Sequence, residues 1–233
     1  MNIEPVAYFS SPLTSKFGIP RQSGILSDLP GKVVFCPEYR FPEALRGLDG
    51  FDYIWLLWGF SENAGLRWHP TVRPPRLGGN KAAGVFATRS PFRPNALGLS
   101  AVRIASIEPV TPEGPVIRTL GADLMDGTPI FDIKPYLPYT DCHPEAAQGL
   151  GTPAGEGLLE VDFPAHLLER IPADLRAPLL EVLAQDPRPG YQRAAGRGYW
   201  MAFGGMEVGF TVEGEVLRVT GVREGWSPGR AGS

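Results

Sequence analysis

The sequence predicts a mainly β protein: a small closed or partly open β-barrel in the N-terminal part, followed by a small α+β unit. Three observations carry that expectation. Glycine (29) and proline (25) are abundant among the 233 residues, which favours many turns and few long helices. Short runs of β-branched and aromatic residues recur between these turn formers. Helical periodicity of any length occurs only late in the chain. Many short strands with few helices suggest a barrel or a sandwich.

The elements follow in order. Val6 to Phe9 and Val33 to Cys36 read as strands, and Pro42 to Arg46, closed by Gly47, as one short helix. Phe51 to Phe60 is almost continuously apolar, as a strand covered on both faces would be. Gly84 to Thr88, Leu97 to Ile107 and Val116 to Leu120 read as further strands. Within the longest, Leu97, Leu99 and Ala101 alternate before the phase slips to Val102 and Ile104, which predicts a bulge there. His143 to Gly157 is rich in Gly, Ala and Pro and reads as a linker. The chain therefore divides into 1–142, a linker at 143–157, and 158–233. In the last part, Leu158 to Phe163 reads as a strand and Ala165 to Ile171 as a short helical piece. Leu175, Leu179, Leu180 and Leu183 then line one face of a helix, with Asp174 as N-cap and Pro178 tolerable only near the first turn. Tyr199 to Phe203, Met206 to Val212 and Glu215 to Val222 close as strands, the last two joined by a hairpin at Glu213-Gly214.

Charge is strongly segregated. Between Glu62 and Glu108 there is no acidic residue but seven basic ones, Arg67, Arg73, Arg76, Lys81, Arg89, Arg93 and Arg103, in a chain of net charge −3. The remainder carries 15 basic and 25 acidic residues. Such segregation suggests a positive surface for a polyanion, or a solvated basic face whose counter-charges lie elsewhere in the fold. Cys36 and Cys142 offer neither a disulfide framework nor metal-ligand spacing, which fits a reducing compartment. No leader pattern is evident, and no apolar run approaches the ~20 residues of a membrane span. A soluble cytoplasmic protein is expected.

Four segments could carry chemistry. Pro20-Arg-Gln-Ser-Gly24 is a turn in which Arg21 and Gln22 present planar donors, or it is an ordinary surface turn. Thr71 to Gly79 holds Arg73 and Arg76 around two prolines that stiffen an extended loop, suited to phosphate or simply a polyproline connector. In Ala87 to Asn95, Arg89 and Arg93 could each hold an anion and Asn95 a base edge. No phosphate-cradling glycine motif accompanies them, so nucleotide-triphosphate and dinucleotide readings lack support. In Asp123 to Asp141, Asp126-Gly127 makes a tight turn. Asp132 and Lys134 lie two residues apart, so an extended chain puts them on one side as an acid–base pair or a mutual ion pair. The three histidines form no spaced pair, which disfavours a metal centre, and no nucleophile elbow is present. Trp55, Trp58 and Trp68 read as core residues in preference to base-stacking platforms.

Taken together, Pro20-Arg-Gln22, Ala44 to Leu48, Thr71 to Asn80, Gly84 to Arg89, Asp126 to Tyr136 and Val182 to Tyr191 resemble the TrmO (YaeB, TsaA-like) family. The resemblance spans most of the chain. It implies a methyltransferase dependent on S-adenosylmethionine that modifies the N6 nitrogen of threonylcarbamoyl-adenosine beside the tRNA anticodon. It also implies a cofactor-binding barrel, a homodimer, and a C-terminal domain that aids tRNA contact. By matching position, the cofactor contacts would be Ser23, Gly24, Ile25, Ser61, Glu62, Arg89, Leu99, Asp123, Leu124, Met125 and Asp126. Substrate contacts would include Arg21, Arg73, Arg76, Arg93, Asn95 and Tyr136.

A sulfonium donor is already activated, so alignment of nucleophile, methyl and leaving sulfur is the main task. The ureido nitrogen must lose a proton, for which Asp126 or Asp132 is the candidate acceptor. Lys134 or an arginine could stabilise charge on the ureido oxygen. The alternatives are a non-catalytic RNA-binding barrel and a methyltransferase for another nucleotide or small molecule.

Overall fold

The computed structural model describes residues 2–63, 67–74, 82–147, 149, 157–188 and 196–225. Among the described residues, eight strands occupy the first part: β1 (Ala7–Ser10), β2 (Pro30–Phe35), β3 (Tyr53–Gly59), β4 (Thr71–Val72), β5 (Ala83–Gly84), β6 (Leu97–Glu108), β7 (Val116–Leu120) and β8 (Thr128–Pro135). Six of them close a barrel in the order β1-β2-β7-β6-β3-β8, every pair antiparallel. Closure removes exposed sheet edges. The interior is filled by Phe9, Val33, Ile54, Leu56, Trp58, Val102, Ile117 and Ile130. β3 shows why its sequence is nearly all apolar. Ile54, Leu56 and Trp58 point inward, while Trp55 and Leu57 are half-buried on the outer wall.

Several expectations need correction. Gly84 to Thr88 is not a strand: β5 ends at Gly84 and a 3-10 turn covers Val85–Ala87. In β6 the inward row is Ser100 and Val102, whereas Leu99 is 55% exposed. The register shift falls between Ile104 and Ser106, later than the apolar pattern suggests. The misreading has a physical cause. Gly98 lies under the Trp58 ring, where a Cβ would come within 2.3 Å of it, and Ser100 is paired in the interior, so the inward row begins with residues that do not look like core. Pro42–Leu45 is a 3-10 turn, one of three between β2 and β3.

Beyond α1 (Pro138–Asp141), a second sheet is built from β9 (Glu160–Asp162), β10 (Tyr199–Phe203), β11 (Met206–Glu213) and β12 (Val216–Glu224), in the order β10-β11-β12-β9. Gly214, at φ 59°, supplies the expected hairpin turn. A short helix, α2 (Ala165–Leu168), precedes α3 (Ala173–Ala184), which buries Leu179, Val182 and Leu183 against this sheet. The helix starts just after Pro172, so Asp174 sits in its first turn, not at the N-cap, and Pro178 lies inside it, buried. Most of the expected linker lies outside the described residues.

The core of this second sheet reaches across the expected boundary. It includes Leu13, Leu26 and Leu29, with Phe17, Ile19 and Ile25 packed against it, all from the segment joining β1 to β2. Gly204 N–H donates to the Pro12 carbonyl at 2.7 Å. The 11–29 segment is thereby clamped between barrel and sheet. Among the described residues, no helix is long and apolar enough to cross a membrane.

Candidate active site at one barrel mouth

Strand direction decides where the loops emerge. β1 ends, β2 begins, β3 ends, β6 begins, β7 ends and β8 begins at the same end of the barrel, as the pairings Phe9↔Thr128, Pro30↔Leu120 and Gly59↔Leu97 show. Segments 11–29, 60–96 and 121–127 therefore all open at one mouth. These three carry Arg21, Ser23, Gly24, Ile25, Ser61, Glu62, Arg73, Arg89, Arg93, Asn95 and the 123–126 stretch.

The segments are tied together by specific contacts. The Gly24 N–H donates to the Gly121 carbonyl at 2.8 Å, and the Ser23 backbone N–H lies close enough to the Asp123 carboxylate to favour its charge. Arg89 donates through Nη1 to Gln22 Oε1. Lys16 Nζ donates to the Glu62 carbonyl at 3.3 Å. Asp126 accepts the Ser11 N–H at 3.0 Å, and its own N–H donates to the Leu13 carbonyl at 2.8 Å. Gly24 and Gly127 adopt φ of 78° and 74°, the left-handed region where glycine is unstrained, and a Cβ on either would meet nothing within 4 Å. The backbone at both turns faces open space.

Asp123 is the electrostatic centre of the mouth. Ser100 Oγ–H donates to its Oδ1 at 2.7 Å, and Trp58 Nε1–H donates to Ser100 Oγ at 3.0 Å. Desolvation pushes the carboxyl above its ordinary value of 3.8, against the opposing effects of the Ser100 hydrogen bond, backbone N–H donors and the Arg89 charge. Ser100 and Trp58 were not among the expected site residues, whereas Gln22 was expected as a planar donor of the 20–24 turn and serves here as the acceptor for Arg89. The only sequence signal for Ser100 was a hydroxyl one residue after Leu99, in a strand otherwise read as apolar.

Not every candidate comes to the mouth. Asp132 and Lys134 stand on the outer wall and form a mutual ion pair at 2.9 Å. Asp132 is level with Leu57 and Leu99 across three adjacent strands, so it lies about 10 Å from Leu99 at two strand spacings. Tyr136 follows β8 at the far end, where its ring packs on Tyr53 and Trp55 at 6.1 and 5.4 Å, because β8 runs away from the mouth. Arg93 donates to the carbonyls of Thr88 and Ser90 at 3.1 and 3.2 Å and so shapes its own loop. Arg76 lies outside the described residues. Leu124 is buried in the barrel core, so its side chain is unavailable for contact, although its backbone is at the mouth. Trp68, expected in the core, is 46% exposed.

The comparisons with known proteins fit this arrangement. The family model described as tRNA-methyltransferase O N-terminal domain matches residues 8–142, and the TrmO C-terminal domain matches 158–225. A tRNA (adenine(37)-N6)-methyltransferase of Escherichia coli is 42% identical over 82% of this chain and 83% of its own length. A Pseudomonas aeruginosa protein provisionally named as an S-adenosylmethionine-dependent methyltransferase is 37% identical, over 89% of this chain and 90% of its own. The crystal structure of TrmO from Pseudomonas aeruginosa superimposes with a TM-score of 0.76 at 30% identity, covering 95% of this chain and 98% of that one.

Proposed function

The chain belongs to the TrmO family, and from that premise we propose that it is a tRNA methyltransferase. It transfers a methyl group from S-adenosylmethionine to the N6 nitrogen of adenosine 37, with threonylcarbamoyl-adenosine as the preferred form of that base. The observation that carries the reading is the convergence of Arg89, Gln22, Ser23, Ser100 and Asp123 at one mouth. A half-buried carboxylate beside open glycine backbone suits a cationic donor with hydrogen-bonding groups of its own.

When bound there, the donor supplies an electrophilic methyl group. The residues of the mouth would hold donor and target nitrogen in line for the transfer. Asp126 is exposed at the mouth and takes the proton released from N6. Asp132 is the less favoured acceptor, because its carboxylate is engaged by Lys134. Arg89, with Arg21 and Arg73 on the same side of the barrel, holds phosphates and the threonyl carboxylate. In this reading the protein acts in the cytoplasm as a homodimer. Tyr53 at the start of β3 and Tyr139 in α1 are 42% and 86% exposed and so available for association, and light scattering measures it.

The test has two parts. S-adenosylmethionine should raise the melting temperature, and tRNA from a deletion strain should gain the methylated threonylcarbamoyl nucleoside by mass spectrometry when enzyme and donor are added. A melting shift with tRNA alone, and no methyl transfer, would instead identify an RNA-binding module.

A further inference from the structure

Three large aromatic side chains are exposed on one short lobe at the mouth: Trp68 at 46%, Phe86 at 75% and Phe92 at 40%. The lobe is held together by backbone pairing. Thr71 faces Gly84 and Val72 faces Ala83 across β4 and β5. The Val85 N–H donates to the Pro70 carbonyl at 3.0 Å and the His69 N–H to the Phe92 carbonyl at 3.5 Å. All three rings therefore belong to one structured unit. Buried Val85 anchors it, so Phe86, its neighbour, is turned outward by the 3-10 turn. Single exposed aromatics are commonplace, but three on one lobe mark an interaction surface.

The chemistry of the lobe selects the partner. Between Glu62 and Glu108 there is no carboxylate, while Arg67, Arg73 and Arg89 stand exposed beside the rings. A cationic surface with interleaved aromatic faces is complementary to single-stranded nucleic acid, whose backbone is anionic and whose unpaired bases each present a π-face. We propose that Trp68, Phe86 and Phe92 are a stacking surface for unpaired anticodon-loop bases flanking the target adenosine, with the arginines of the same lobe holding the adjoining phosphates. The inference rests on the tRNA methyltransferase reading. It assigns base contact to rings that sequence patterning places in the core or in no role at all.

The two kinds of contact separate by salt. Stacking is insensitive to counter-ion release, whereas each phosphate contact contributes to the slope of log affinity against log salt. Filter binding of full-length protein to deletion-strain tRNA, repeated over a salt series, reads both. Phe86→Ala and Trp68→Ala should each weaken binding about tenfold with an unchanged salt slope, as expected for loss of one stacked base. Phe86→Tyr should restore it. Arg73→Ala should lower the slope by about one. Single-stranded oligouridylate should compete better with the parent than with Phe86→Ala, and duplex RNA should compete equally with both. Parent-like tRNA affinity in both aromatic variants overturns the proposal, as does conversion of a parental dimer to monomers by either variant, which would assign the rings to a second copy. Binding of S-adenosylmethionine, followed by melting shift, should be the same in all variants. If the parent itself neither binds the donor nor methylates tRNA, the methyltransferase reading fails; if it does both and the rings prove dispensable, only the stacking surface fails.

Discussion

The two ends of the barrel are built from the same strands yet differ in almost every property that matters for chemistry. At the mouth, segments 11–29, 60–96 and 121–127 bring together Arg89, Gln22, Ser23 and a carboxylate, Asp123, whose pKa burial raises. At the far end, 109–115 makes a tight connection, 36–52 is taken up largely by 3-10 turns, and aromatic rings pack on one another. The carboxylate there, Asp141, behaves in the opposite way. Its charge is favoured, first by the Leu137 N–H and then by Trp55 Nε1–H at 2.8 Å, so it titrates below its ordinary value. A carboxylate satisfied by its own fold serves structure. One kept costly to ionise at an open mouth is the kind of group the proposed cationic donor would engage.

Four substitutions sharpen or break that contrast. The largest effect is expected for Asp126→Asn, which removes the proposed proton acceptor. Methylation should fall about a hundred- to ten-thousand-fold, with donor binding retained; an unchanged rate would move the acceptor elsewhere. Next comes Asp123→Asn, which should weaken donor binding about tenfold by calorimetry, as for loss of a charged hydrogen-bond partner. It should also change the pH dependence of stability. The folded pKa lies above the ordinary 3.8, so folding binds a proton between those values, and ionisation above them opposes folding. The melting temperature of the variant relative to the parent should therefore rise as pH increases through that window, and a flat difference would contradict the burial argument.

Ser100→Ala is third. It leaves the buried Trp58 Nε1–H unpaired and strips a donor from Asp123, costing about 1–3 kcal/mol in denaturant unfolding. The Asp123 carboxyl should titrate still higher. The smallest effect belongs to the far end. Trp55→Phe removes one donor from Asp141, whose lowered pKa gives stability that is present above the ordinary value and lost as pH falls through the folded one. Part of that acid-range loss should disappear, while methylation changes less than about twofold, as for a substitution distant from the site. A large loss of activity would join the two ends functionally.

Much of this was legible in the sequence, and the gaps have physical causes. Strands such as Val116 to Leu120 were readable because β-branched residues fit a half-buried pleat. The Asp126-Gly127 turn was readable because Gly127 needs a positive φ. The basic loop announced itself through charge segregation. What sequence could not give was facing. Gly98 and Ser100 occupy inward positions that apolar alternation assigns to Leu97 and Leu99, since a glycine under a tryptophan and a paired hydroxyl satisfy the interior without being hydrophobic. Nor could it show that Leu13, Leu26 and Leu29 complete the core of a sheet more than a hundred residues away. For Asp132 and Lys134 spacing left two readings open, an acid–base pair or a mutual ion pair, and only the structure shows that the two side chains pair with each other. Tyr136 was placed by motif alone, and strand direction carries it to the other end.

The central claim is that donor and RNA meet at the mouth and nowhere else on the barrel. Hydrogen–deuterium exchange of the full chain, with and without S-adenosylmethionine, tests it most directly. Protection confined to peptides from 11–29, 60–96 and 121–127 is the outcome this account predicts. Protection of 36–52 and 109–115, with the three mouth segments unchanged, would contradict it.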